Sequence, residues 1–143
     1  MTRSIFTALV IAALSGACTD VPSPAAPSTP TPAPRYTAFF TGTLAAQESQ
    51  FYSFTATTAG TTEITLVGLR ALDTPTPPVS MPLSLGIGTP AGTGCRLSTS
   101  LTAQPGLTAQ LTAPTAATTY CVEIQDPGNL TNPLTFTVRI VHP

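Results

Sequence analysis

From residue 36 to the C-terminus the chain alternates apolar and polar positions in short runs. In QFYSFTAT, Tyr52, Phe54 and Ala56 oppose Phe51, Ser53 and Thr55. In TEITLVGL, Ile64 and Leu66 oppose Glu63, Thr65 and Val67. MPLSLGIGT sets Leu83, Leu85 and Ile87 against Ser84, Gly86 and Gly88. TYCVEIQD groups Tyr120, Val122 and Ile124 against Cys121, Glu123 and Gln125. LTFTVRIVH groups Leu134, Phe136, Val138 and Ile140 against Thr135, Thr137, Arg139 and Val141. Period two marks a half-buried strand, and no helical period competes with it in this region. TAGTT, DTPTPPVS, GTPAGTG and DPGNLTNP punctuate the runs as turns. With YTAFFTGTL, CRLSTS and GLTAQLTA added, about eight strands succeed one another at roughly ten-residue spacing, the pattern of a sandwich or barrel. The expected core is Phe40, Leu44, Tyr52, Phe54, Ile64, Leu66, Leu83, Leu85, Ile87, Leu111, Tyr120, Val122, Ile124, Phe136, Val138 and Ile140.

The first 35 residues obey other rules. MTRSIFTALVIAALSGAC carries one arginine, an apolar run of about a dozen residues, then small residues, the layout of a secretory signal. A membrane-spanning helix needs roughly 18 or more apolar residues. Residues 19–35, TDVPSPAAPSTPTPAPR, hold six prolines between Pro22 and Pro34. Proline fixes φ and removes a donor, so this segment is expected to be an extended tether. At about 3.1 Å per residue it reaches on the order of 50 Å. The organisation expected is a signal over 1–17, a tether over 18–35 and an all-β domain over 36–143.

Composition narrows the partners. Charged residues are 8% of the 143, lysine is absent, and the formal net charge is -1. That leaves no basic footprint for nucleic acid. The 28 threonines suit strands whose outer faces are hydroxylated rather than ionic.

The junction Ser15-Gly16-Ala17-Cys18 resembles the lipobox of bacterial lipoproteins, with Ser15 where that family usually has leucine. The resemblance implies a lipid on the Cys18 thiol, cleavage before it, and a membrane partner reached through the anchor. Acyl chains contribute about 0.8 kcal/mol per buried CH₂, so two or three on one residue hold a protein firmly. Thr19 is not the aspartate that marks inner-membrane retention in that family, so the outer membrane is the expected site. The alternative at Cys18 is an ordinary exported chain with this cysteine in a disulfide.

GTLAAQESQFYSFTATTAGTTEITLVGL, with PLSLGIGT and TTYCVEIQD, resembles the bacterial pre-peptidase C-terminal domain. Gly42, Leu44, Tyr52, Phe54, Ala59, Gly60, Ile64, Leu66, Tyr120, Val122 and Ile124 carry the likeness. Gln50 stands where that family often has aspartate. The resemblance spans residues 38–141 and implies an antiparallel, jelly-roll-like β-sandwich serving as an accessory or binding module.

Candidate chemistry is sparse. Cys95 and Cys121 form an even pair in an exported domain, so a disulfide is expected, worth roughly 3 kcal/mol through chain entropy. Alternation sets Cys121 on the polar face, which puts the bridge outside the core or at a sheet edge. His142, the one histidine, is penultimate and poorly placed for a triad. GIGTPAGTG fits no phosphate-loop pattern. Glu48, Glu63, Asp73, Glu123 and Asp126 are scattered. Asp126 and Asn129 share a turn and, with Asp73 from another loop, could offer oxygens to Ca²⁺; the commoner role is an Asx-turn capping its own backbone. No cofactor and no catalytic centre are expected. Two functions fit: a membrane-anchored envelope lipoprotein carrying a non-catalytic binding module for an envelope protein or glycan, or a structural subunit of an envelope assembly. Exposed apolar candidates for either surface are Phe39, Phe51 and Val141.

Overall fold

In the computed structural model, residues 33–72 and 80–143 are described. They form eight strands: β1 (Tyr36–Leu44), β2 (Ser49–Thr55), β3 (Gly60–Ala71), β4 (Leu83–Ala91), β5 (Gly94–Ala103), β6 (Leu111–Thr115), β7 (Thr119–Gln125) and β8 (Leu134–His142). The runs YTAFFTGTL and LTFTVRIVH are β1 and β8 to the residue. One sheet has the order β1-β8-β3-β6 and the other β2-β7-β4-β5, and every neighbouring pair is antiparallel. This is an eight-stranded jelly-roll sandwich.

Alternation builds the core. In β8, Leu134, Phe136, Val138, Ile140 and His142 are buried while the residues between them are half-exposed. Leu44, Ile64, Leu66, Leu83, Leu85, Ile87, Val122 and Ile124 meet them from the other strands. Phe136 packs edge-on against Phe40, with ring centroids 4.8 Å apart. Its ring also occupies the space a side chain at position 42 would need, which accounts for Gly42.

Three features depart from the alternation. In β3 the register against β8 jumps between Leu66 and Gly68, so Val67 is an inserted residue. A bulge re-aims the residues beyond it, and Leu69 becomes core although it is out of phase with Ile64 and Leu66. Tyr52, expected in the core, is 36% exposed: β2 is an edge strand, and the Tyr52 ring closes the seam by stacking on Phe40 at 5.7 Å. The third is the C-terminus, which is held in place. The Thr57 N–H donates to the Pro143 carbonyl, and His142 lies under the Phe54 ring at 4.8 Å.

Cys95 and Cys121 are disulfide-bonded, with Cα atoms 5.8 Å apart. Their strands, β5 and β7, are not neighbours; β4 runs between them. The bridge is possible because the β4–β5 hairpin folds back over the outer face of its sheet. Ser98 is the inserted residue of a second bulge, between Ile87 and Gly88. A Cβ at Gly88 would fall on the Arg96 carbonyl, so β5 crosses directly over it. Leu97 likewise covers the outer side of Gly86. Cys121 is therefore buried although it points away from the core cluster.

Candidate functional site

Three of the four described acids are engaged by the fold itself. Glu63 pairs with Arg35 at 3.0 Å. Glu48 accepts the Ala45 N–H at 2.8 Å and the Gln50 amide at 2.6 Å. Asp126 is buried, and its oxygens accept the backbone N–H groups of Gln47 at 2.9 Å, Asn129 at 2.7 Å and Leu130 at 3.2 Å. Burial pushes the Asp126 carboxyl up. Amides of Gln47, Asn129, Leu130 and Gly128 outweigh that and hold it below the ordinary range. Gln47 takes φ 59°, a conformation uncommon for a side chain with Cβ, and its N–H is thereby aimed at Asp126. The Asn129 side chain donates to the Pro82 carbonyl at 2.8 Å.

Asp126 and Asn129 are thus brought together as a knot that joins the β1–β2 turn to the β7–β8 and β3–β4 connections. The Asp126 oxygens accept backbone N–H groups, and the Asn129 amide donates to a backbone carbonyl. Asp73, the third ion-site candidate, and Cys18 lie outside the described residues. Among the described residues no three of His, Cys, Asp and Glu cluster. His142 is buried between Tyr36 and Phe54, and its Nδ1 lies 3.1 Å from the Pro143 carbonyl. The GIGTPAGTG segment is the β4–β5 hairpin. Glu123 stands on the outer face between Phe51 and Gly86, and burial raises its carboxyl.

Surface chemistry is concentrated elsewhere. Tyr36, Phe39, Phe51 and Tyr52 are four of the six large exposed hydrophobics among the described residues, and all four lie on β1 or β2. These are the edge strands on one side of the sandwich, in contact across the seam. Neither contains a charge, a proline or a bulge. Edge strands usually carry such features because bare backbone recruits other strands. Phe39 and Phe51 were legible as exposed aromatics; Val141 is only half-buried, between Thr37 and Glu63. What alternation could not show is that β1 and β2 share one margin, which depends on strand order.

Compared with known proteins, the chain matches no family model and no curated protein.

Proposed function

We propose that this chain is a membrane-anchored envelope lipoprotein whose sandwich acts as a non-catalytic interaction module. The observation that carries the reading is the β1–β2 margin: sixteen uncharged edge residues bearing four exposed aromatics. The Ser15-Gly16-Ala17-Cys18 pattern and the proline-rich segment support an anchor and a spacer. The jelly-roll architecture supports a likeness to pre-peptidase C-terminal modules. On this reading the partner is an envelope protein or glycan, reached from an outer-membrane anchor, and Glu48, Glu63 and Asp126 serve the fold.

A second reading, a structural subunit of an envelope assembly, is favoured by the same margin, since bare strand edges suit sheet-to-sheet pairing. Metabolic labelling with a fatty-acid analogue tests the anchor. Label should enter the wild-type chain and be lost in Cys18→Ala, with the chain moving from the membrane to the soluble fraction. An unlabelled wild-type chain released to the medium would overturn the anchor. Crosslinking from β1 in whole cells then separates one defined protein neighbour from glycan.

A further inference from the structure

We propose that β1 pairs with β1 of a second copy of this chain, in antiparallel register about a two-fold axis at Phe39. The inference rests on reading the β1–β2 margin as the interaction surface.

The register is set by the residues. An isologous contact must be self-complementary. With Phe39 opposite Phe39 of the second copy, Thr37 faces Thr41, Ala38 faces Phe40, and Tyr36 faces Gly42. On the outer face this gives an aromatic pair flanked by two threonine pairs, combinations that stabilise neighbouring strands. On the inner face each large ring meets a small residue. No charge opposes another, because β1 has none. A foreign strand with ordinary surface charges would have to desolvate them against this edge.

Among the described residues nothing pairs with the other edge of β1. All nine residues of β1 pair with β8 on one side without a register break. Residues 33–35 run over the sheet's end, where Ala33 and Arg35 line a cavity with Gly60, Thr61 and Pro143. They do not lie along the outer edge of β1. Tyr36, Phe39, Phe51 and Tyr52 are 50, 60, 38 and 36% exposed. At about 200 Å² per ring side chain, the two β1 rings expose roughly 220 Å² per copy.

Single cysteines in the full chain, oxidised in the envelope of producing cells, test the register. Directly opposed residues stand about 4.5–5.5 Å apart, within disulfide reach. Phe39→Cys should give a homodimer band that the wild type lacks. Thr37→Cys alone should not, but co-expressed with Thr41→Cys it should. Adding Phe39→Lys to that pair should cut the crosslinked fraction about tenfold while the Cys95–Cys121 bridge stays oxidised, which shows the fold intact. A Phe39→Cys band at another protein's mass overturns the second copy but leaves the margin as an interaction surface. Absence of any band, with the introduced thiol freely alkylated by a maleimide, overturns both.

Discussion

The two long margins of this sandwich are built to opposite rules. On the β5–β6 side, edges are closed. β6 has five residues and contains Pro114. Beyond it the Gln110 side chain replaces a strand: its Oε1 accepts the Leu66 N–H at 2.7 Å, and the Gly106 N–H donates to the Leu66 carbonyl at 2.9 Å. Arg139 fastens the same loop by donating to the Leu107 carbonyl at 3.0 Å. β5 is bulged, carries Arg96 and is locked by the disulfide. On the β1–β2 side nothing of the kind appears among the described residues, yet the Asp126 knot holds the turn joining those strands. One margin is blocked against pairing; the other is left bare among the described residues. A fold that suppresses association on one side and exposes aromatics on the other is consistent with a directed contact.

The closed margin should break hardest at Gly88. A side chain there meets Arg96 backbone, which cannot swing aside as a rotamer could. Gly88→Ala is expected to cost about 3 kcal/mol or more and to leave Cys95 and Cys121 as titratable thiols. Gly86→Ala should be milder, because its obstacle is the Leu97 side chain at 2.7 Å. Urea midpoints and thiol counts check both. Equal effects would mean that the hairpin does not fold over its sheet.

Asp126→Ala should loosen the bare margin. It leaves one buried and two partly buried N–H groups without an acceptor, at roughly 2–3 kcal/mol. Because the folded carboxyl lies below its ordinary value of about 3.9, its contribution is present above that pH and is lost as pH falls through the folded value. Wild type and variant should therefore differ by a constant amount above about pH 5, and the gap should narrow as pH falls through the folded value. Hydrogen exchange should rise at Gln47, Asn129 and Leu130. If it rises only in β5 and β6, the knot does not serve the β1–β2 side.

The knot also shows what local sequence could convey. The turn over residues 126–129 was legible as an Asx-turn, but Gln47 lies 79 positions away and no pattern links them. β1 and β8 were legible to the residue because both alternate without interruption. The bulge at Val67 was not, since TLVGL fits alternation equally well if Leu66 and Leu69 are assigned to different faces. The Gln110 side chain standing in for a strand was invisible for a similar reason: a polar residue in GLTAQLTA signals exposure, not a partner on Leu66. The pairing of Cys95 with Cys121 was legible from number, but its passage over β4 depends on Gly88, which alternation marked only as an outward position.

Gln110→Ala tests the mock strand. Removing the carboxamide frees the Leu66 N–H at the closed edge, for about 1–2 kcal/mol. Gln110→Glu keeps an acceptor for that N–H but loses the donor to the Gln104 carbonyl at 3.0 Å, so its loss should be smaller. Chemical denaturation ranks the two. If Gln110→Ala is silent, water serves Leu66 equally well and this margin is closed by β6 and the disulfide alone.

The smallest effect belongs to Glu123, beside Phe51 on the bare side. Burial favours its neutral form, so the folded carboxyl titrates above its ordinary value of about 4.3. The sign is opposite to that of Asp126. The fold gains from Glu123 at pH below the ordinary value, and that gain disappears as pH rises through the folded one. Glu123→Gln, neutral throughout, should accordingly stabilise at pH 7 by under about 1 kcal/mol and leave stability unchanged below about pH 4. Combining it with Phe51→Ala sharpens the test: if the Phe51 ring supplies the cover, its removal lets water reach the carboxyl and the glutamine's advantage shrinks. A pH-independent gain would instead trace the effect to strand propensity, and Phe51 would then be an exposed ring with no hold on its neighbour, free to serve a contact.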